Sequence, residues 1–428
     1  MPFNSTVEKK NTFRIKPIED GTSLRVGNAL VVLQLLRQRD RLSRSELARI
    51  TGVAPSTMGS LIHDLSEVGL VFEEKLETSK RGRPKTLIGL NPNYGHIIGF
   101  ELGASHITAV VVDFTGCVLA TKSAHLNVEN EPKETLDSLE RLVDLFLAEL
   151  EPTSSKFLGI GLAIPSPYVP ESSSEMNTGL YPAWAEFSLT DFLHGKYQVP
   201  VILENDANTG ALAETWWGPH PHVATMAYIK VATGVGAGLI LNGELHRGVA
   251  GMAGEIGHTV IDGNQSVCRC GLTGCLETQI GRNSLMNSVR ERGGTVNSLD
   301  DILALAQNGD ATATEVIEDA AQSLGIAIAN LVNLYGPEVV VLGGSLTQAE
   351  KILVPKINEI LKSRTFGLRP CSPNIQISTL GVHAIARGST TLVFEKAFRT
   401  SMMFTEPDPA FTPFFRSTHS SISHRRHL

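Results

Sequence analysis

The chain has 428 residues, more than one hydrophobic core usually serves, so we expect two or three domains. Its net charge is −7, and its apolar and charged fractions are ordinary for a globular protein. It contains no run of eighteen apolar residues, and its N-terminus lacks the apolar core of a signal peptide. Composition therefore argues against a membrane-spanning or secreted protein, and we expect a cytoplasmic one with no membrane partner.

The charge is unevenly distributed along the chain. Residues 1–90 hold 15 Lys and Arg against 10 Asp and Glu, whereas the remainder holds 22 against 34. A basic N-terminal segment on an acidic body predicts a polyanionic partner for that segment. Residues 1–22 are polar and without periodicity, which predicts a flexible arm.

Three helices are predicted after the arm. The apolar-rich run at 24–39 indicates the first, with Leu30, Leu33 and Leu36 as core candidates. A capping box at 43–46 begins the second, which ends near Gly52, where glycine permits the tight turn of a helix-turn-helix. A proline fits the first position of the third helix, at 55–68.

The third helix has an apolar face and a face of small polar residues. Small polar side chains near a helix N-terminus fit the major groove and bond phosphates or base edges. The predicted contacts to double-stranded operator DNA are Ser56, Thr57, Ser60 and His63. A solvated helix face is the alternative.

A wing follows the helices. Residues 70–74 and 86–90 are predicted as short strands joined by a basic tip, from which Arg81 and Arg83 would enter the minor groove. Residues 23–92 are thus predicted to form a winged helix-turn-helix DNA-binding domain, with an unrelated protein-binding module as the alternative.

The rest of the chain alternates strands and helices, which indicates an α/β fold. Asn205 and Asp206 follow a buried-type strand at 200–203, and the carboxyl edge of an α/β sheet is where ligands usually bind. Further strands are predicted at 96–100, 157–164 and 227–231, with one more ending at 112 and one within 334–344. Helices are predicted at 132–149, 348–364 and 381–398, and several within 298–334.

One loop contains three cysteines and a histidine close together in the chain: His258, Cys268, Cys270 and Cys275. Three thiolates and an imidazole suit a tetrahedral zinc ion, and the intervening glycines let the backbone bend. A closed shell of four ligands leaves no position for a reactive water, so a structural Zn²⁺ is predicted and a zinc hydrolase is disfavoured. A redox or disulfide role and unbound core thiols remain as alternatives.

Two acids flank this loop. Folding around a metal would bring Glu255 and Glu277 near His258, and ionised carboxylates accept hydrogen bonds from hydroxyl groups. A zinc-bound imidazole would donate through its other nitrogen. These residues predict a sugar site.

The motifs GEIGH, CxCGxxGCLE, ENDAN and TGVGAGLILNGELHRG together resemble the ROK family of sugar kinases and sugar-responsive repressors, over about residues 95–395. The resemblance implies a two-lobed actin-like, ribonuclease-H-like sugar-kinase fold at 93–398. One lobe would hold 93–200 and a closing helix at 381–398, and the other 201–380. Residues 399–428 are predicted to be a disordered tail. The basic wing is similar to that of the repressor branch.

In the kinases that this resemblance invokes, an acid at the position of Asp206 deprotonates the attacking sugar hydroxyl, and a glycine-rich turn wraps ATP phosphate. Here Glu101, Ala104 and Ser105 depart from that turn, so we expect neither ATP nor Mg²⁺ as cofactor and no catalytic residue. The matching loops are interpreted as vestigial nucleotide loops, represented by Gly103, Ser105, Thr233, Gly234, Gly236, Gly343 and Gly344.

The resemblance also places Trp184 in a sugar-covering segment, with a core tryptophan as the alternative. The hypothesis is a sugar-responsive repressor, a homodimer or homotetramer, that binds its sugar at Asn205, Asp206, Glu255, His258 and Glu277. An ATP-dependent sugar kinase with a DNA-binding appendage is the alternative.

Overall fold

The computed structural model describes residues 21–76, 85–150, 155–168, 175–366 and 373–399. The chain divides into two units, Met1–Asn91 with Ala397–Leu428, and Pro92–Lys396. Residues 1–20 of the predicted arm, the wing tip with Arg81 and Arg83, and residues 400–428 of the predicted tail lie outside the described residues.

The first unit contains the three expected helices, although the first begins at Gly21, three residues before its predicted start. The predicted capping box is confirmed: Ser43 Oγ accepts from Glu46 N, and Glu46 Oε2 accepts from Ser43 N. Gly52 ends the second helix with a φ of 72°. The helices are α1 Gly21–Arg39, α2 Arg44–Thr51 and α3 Pro55–Glu67.

A three-stranded antiparallel sheet completes this unit, in the order β1-β3-β2. Its strands are β1 Arg41–Leu42, β2 Val71–Leu76 and β3 Lys85–Leu90. The two wing strands were predicted, whereas β1 was not. Leu33 and Leu36 are buried as expected, but Leu30 is only partly buried.

The second unit begins with a five-stranded sheet in the order β6-β5-β4-β7-β8. Its elements are β4 Gly95–Gly103, β5 His106–Asp113, β6 Val118–His125, α4 Pro132–Leu150, β7 Lys156–Ile164, α5 Leu189–Tyr197 and β8 Val201–Asn205. Strand β8 pairs in parallel with β7. The first lobe therefore extends to Asn205, and the boundary predicted at residue 200 falls one strand too early.

A second five-stranded sheet, in the order β11-β10-β9-β12-β13, forms the other lobe. Strands β9 and β12 are buried along almost their whole length, as expected for central parallel strands. The elements are α6 Asp206–Trp216, β9 Thr225–Val231, β10 Val235–Leu241, β11 Glu244–Leu245, α7 Glu277–Ile280, α8 Arg282–Glu291, α9 Leu299–Gln307, α10 Ala311–Tyr335, β12 Val339–Gly343, α11 Glu350–Arg364 and β13 Asn374–Ile377.

The last helix, α12 Ala384–Arg399, returns to the first lobe. Ser389 Oγ donates to the carbonyl of Gly161 in β7 at 3.1 Å, and the Phe394 ring lies 6.0 Å from that of Phe114. The unit thus has the two-lobed, actin-like architecture of sugar kinases. Among the helices in the described part of the chain, none combines the length and the hydropathy that a membrane span requires.

Candidate functional site

A cleft of about 650 Å³ separates the two lobes. Its lining includes all five residues predicted to bind sugar: Asn205, Asp206, Glu255, His258 and Glu277. It also includes the glycine-turn residues Gly103, Thr233, Gly234, Gly236, Gly343 and Gly344. Ser105, predicted with these turns, instead accepts a hydrogen bond of 3.3 Å from Arg282 Nη1 of α8.

The four predicted zinc ligands come together at one end of the cleft. The ligand atoms of His258, Cys268, Cys270 and Cys275 all lie within 4.8 Å of one another. Cys268 Sγ lies 3.7 Å from His258 Nδ1, and Cys270 Sγ lies 3.7 Å from Cys275 Sγ. Two thiolates on one tetrahedral zinc are about 3.8 Å apart, whereas a disulfide bond measures about 2.05 Å. The donor set therefore fits a zinc ion, and Cys270 and Cys275 are not a disulfide.

Backbone bonds and two glycines fold this loop. Cys268 N donates to Leu272 O at 2.8 Å, and Ile261 N donates to Gly274 O at 2.9 Å. Gly271 and Gly274 have φ values of 90° and 88°, a region that side chains rarely adopt. The turns direct all three thiols to the same side.

Glu255 lies beside the histidine, and Glu277 lies near enough to Glu255 to affect its charge. His258 Nδ1 points to the thiols, and His258 Nε2 lies 3.8 Å from a carboxylate oxygen of Glu255. Burial, followed by the nearby carboxylates of Asp206 and Glu277, raises the pKa of Glu255 to about 7. Glu277 Oε2 accepts from the backbone N of Val235 at 3.0 Å, which fixes its carboxylate. Three carboxyl groups and one imidazole therefore converge on the same volume.

Asn205 has a structural task that the sequence prediction missed. Its Oδ1 caps α6 by accepting from Ala207 N at 2.9 Å and Asn208 N at 3.2 Å. Its amide nitrogen donates to the carbonyl of Ser166 at 3.3 Å. Its oxygen thus caps the helix whose first residue is Asp206.

Lys230 of β9 was not predicted as a functional residue. Its ammonium donates to Asp206 Oδ2 at 2.7 Å and to Glu101 Oε1 at 3.1 Å. Burial lowers the pKa of Lys230, but the two carboxylates outweigh burial and raise it above its ordinary value. A lone lysine inside the apolar strand MAYIKV was the available signal, because a buried ammonium requires a partner.

The turn between β4 and β5 brings the side chain of His106 close to Gly103. A Cβ at Gly103 would clash with the imidazole of His106, which also lines the cleft.

Trp184 lies in the core of the first lobe. Its side chain is 0% exposed, and its Nε1 donates to the carbonyl of Val128 at 2.9 Å. The core alternative is therefore correct for this tryptophan, and the sugar-covering role is wrong.

The candidate DNA-contacting face belongs to the other unit. In α3, Met58, Leu61, Ile62 and Leu65 are buried. The four predicted contacts lie on the exposed face: Ser56, Thr57, Ser60 and His63. The helix thus presents the predicted polar face to solvent.

The fold and the cleft define a two-lobed protein of the sugar-kinase type that also carries a helix-turn-helix. The ROK family model matches residues 97–396, and the IclR helix-turn-helix domain matches residues 26–74. The chain belongs to the ROK family.

Similar proteins include both repressors and kinases. The xylose repressor of Caldicellulosiruptor bescii is 30% identical over 387 residues, covering 87% of this chain and 96% of that protein. The glucokinase of Halalkalibacterium halodurans is 32% identical over 316 residues, covering 69% and 94%. A crystal structure of a ROK family transcriptional regulator, a homolog of the E. coli MLC protein, has a TM-score of 0.74 at 25% identity and covers 89% and 98%.

Proposed function

We propose that the chain is a sugar-responsive transcriptional repressor that binds operator DNA through α3 and a carbohydrate in the cleft. The observation that carries this proposal is the convergence of Asp206, Glu255, His258 and Glu277 in a cleft of a chain that also holds a helix-turn-helix. Relatives named xylose repressor match nearly their whole length to this chain, which supports the same assignment.

The cleft suits an uncharged polyol. Asp206 and Glu277 offer acceptor oxygens for sugar hydroxyls, and Glu255, with its raised pKa, donates or accepts according to its protonation. The Nε2–H of His258 donates once Nδ1 is bound to metal. Asn205 lines the same wall and holds Asp206 in place.

His258, Cys268, Cys270 and Cys275 would hold a structural zinc ion in this proposal. The ion would neutralise thiolates and brace the loop that carries one wall of the cleft. The four-ligand set leaves it no catalytic position. The metal would therefore hold the loop in shape, and the side chains around it would bind the sugar.

Operator binding is assigned to the exposed face of α3. Ser56 and Thr57 lie in its first turn, where side chains reach base edges and phosphates. We further propose a homodimer or homotetramer, because two half-sites double the contact area on DNA. A sugar with different affinity for two arrangements of the lobes would then shift operator occupancy.

The sugar-kinase alternative has support from the glucokinase relative. Two features oppose it. Lys230 already pairs with Asp206, the residue that would act as the base in a kinase. It also pairs with Glu101, which replaces the aspartate of the family's phosphate-binding turn. The imidazole of His106 lies against the backbone at Gly103. We therefore propose binding without phosphoryl transfer.

Thermal stabilisation against a panel of free, N-acetylated and phosphorylated sugars, each with and without Mg-ATP, tests the proposal. A ligand at about one hundred times its dissociation constant stabilises by about 2.7 kcal/mol. We expect a sugar whose effect does not depend on Mg-ATP. Release of ADP with any sugar would contradict the proposal and support the kinase.

A further inference from the structure

Arg269 stands between two of the proposed metal ligands, and its side chain reaches the other lobe. Its Nη2 donates to the carbonyl of Leu180 at 3.0 Å and lies 3.2 Å from a carboxylate oxygen of Glu129. Its guanidinium carbon lies 5.0 Å from the centre of the Tyr181 ring. One planar group therefore contacts a carbonyl, a carboxylate and an aromatic face of the first lobe.

Leu180 and Tyr181, which Arg269 contacts, line the first-lobe side of the cleft. Leu180 N and Tyr181 N both donate to the carbonyl of Asn177, at 2.9 and 2.8 Å, and Trp184 N donates to the carbonyl of Tyr181 at 3.1 Å. Tyr181 Oη donates to the carbonyl of Pro165 at 2.7 Å. We call residues 177–184 the wall segment. It is bonded internally and anchored at Tyr181, so a contact at Leu180 acts on the segment as a whole.

Two other ion pairs of the described residues join the lobes, and neither comes from the metal loop. Lys230 lies in β9 and pairs with Glu101, and Arg247 follows β11 and pairs with Glu204 at 2.6 Å. Removing a metal from the loop would leave both pairs in place. Arg269 differs because Cys268 and Cys270, its chain neighbours, are both proposed ligands.

We propose that Arg269 is a positioning residue that ties the wall segment to the metal loop, so that a bound metal orders the first-lobe wall of the sugar site. This inference rests on the proposed zinc and sugar sites. With both neighbouring cysteines fixed, the backbone of Arg269 has little freedom, and its side chain is held at the lobe boundary. Without the metal, the loop loses that constraint and the wall segment loses its contact.

An arginine is needed for this arrangement. An isolated exposed ion pair contributes little, and the Arg269 and Glu129 side chains are 38% and 32% exposed. The planar guanidinium instead joins a hydrogen bond to a carbonyl, a charged pair and a stacked ring in one fixed geometry. A lysine would keep the charge but lose the planar group that stacks on the Tyr181 ring.

Hydrogen exchange of the full-length protein, followed in peptides covering the wall segment, tests the inference without sugar or DNA. In the zinc-loaded wild type we expect these amides to exchange about fivefold slower than after chelation. A change of this size corresponds to a free energy between that of an exposed ion pair and that of a charge-assisted hydrogen bond. In zinc-loaded Arg269→Ala they should exchange at the faster rate, and chelation should add little. Arg269→Lys should be intermediate.

Two further variants provide controls. Glu129→Gln removes the first-lobe partner without touching the loop and should also speed exchange. Arg292→Ala removes an arginine that pairs with Asp319 at 2.6 Å on α10, and it should behave as wild type. Zinc content is measured for every sample.

The role of Arg269 and the presence of the metal site can be tested separately. Zinc-loaded Arg269→Ala with a wall segment as protected as wild type would overturn the inference alone and leave the metal site standing. A wild-type protein that binds no zinc would contradict the metal site and, with it, the inference. Faster exchange in both Arg269→Ala and Glu129→Gln, with zinc retained, would support it.

Discussion

Lys230 donates a 2.7 Å hydrogen bond to Asp206 and, with the same ammonium, a 3.1 Å bond to Glu101. Asp206 begins α6, Lys230 lies on the central strand of the second lobe, and Glu101 lies near the end of β4 in the first. The contact therefore joins the lobes at the cleft floor. It also provides an internal cation beside the acid that a sugar kinase would use as its base.

Lys230→Met should lower the free energy of unfolding by about 3 kcal/mol, because it leaves two buried carboxylates without their shared cation. Urea unfolding measures this loss. Lys122→Met is the matched control, because Lys122 pairs with Glu149 on the surface and its loss should cost less than about 1 kcal/mol. Equal losses in the two variants would contradict the role of Lys230.

Cys268→Ser should lower zinc affinity by more than about 100-fold, since replacing a ligand exceeds the effect of replacing its outer partners. Metal analysis should find one zinc per wild-type chain. Cys117→Ser provides the control, because Cys117 is exposed and lies in the first lobe, before β6. Retention of zinc by Cys268→Ser would argue against the four-ligand site.

Ser56→Glu should weaken operator binding by about 10- to 100-fold, because a carboxylate in the first turn of α3 would face DNA phosphate. An acid near a helix N-terminus favours the helix, so misfolding would not explain the loss. Fluorescence anisotropy with labelled operator measures it. Lys133→Glu, an exposed change in the first turn of α4, should have little effect. If Ser56→Glu binds as wild type does, α3 does not contact DNA.

His96 predicts acid sensitivity of the first lobe. It is 4% exposed and stacks on Phe157 with ring centres 5.4 Å apart, and burial lowers its pKa to about 4. Its pKa in the unfolded chain is near 6.5, so below that pH the unfolded state binds the extra proton first. Its contribution to stability is present above pH 6.5 and is lost as the pH falls towards 4, by roughly 3 kcal/mol in total.

Urea unfolding at several pH values measures this slope. His96→Gln should reduce it, and His222→Gln should not, because His222 is exposed. An unchanged slope in His96→Gln would show that other groups cause the acid sensitivity.

Features whose residues are close in the chain could be predicted from the sequence. The capping box spans four positions, and the four metal ligands lie between residues 258 and 275, so local geometry brings them together. The sequence prediction missed Lys230 and Arg269, whose partners Glu101 and Leu180 lie 129 and 89 residues away. Such pairings depend on how the lobes close, which no local pattern encodes.

Strand β6 and helix α6 are among the elements that were missed, and the reasons differ. Strand β6 is an edge strand with Thr, Lys, Ser and His among its residues, so it lacks the apolar run of a buried strand. Helix α6 begins with DANTG, and its asparagine and glycine favour a loop when tertiary packing is not known. Asn205 was therefore predicted only as a ligand, and its additional role as the N-cap of α6 was missed.

The most direct test of the central claim is operator affinity measured with and without a saturating sugar that thermal stabilisation has identified, in the absence of nucleotide. In the wild type we expect the sugar to weaken operator binding about tenfold or more, within the usual range of coupling between sites. Glu277→Gln should largely lose this response while binding operator normally without sugar, and Glu318→Gln, an exposed change on α10, should keep it. Operator affinity that does not change when the sugar saturates the wild type would contradict the account.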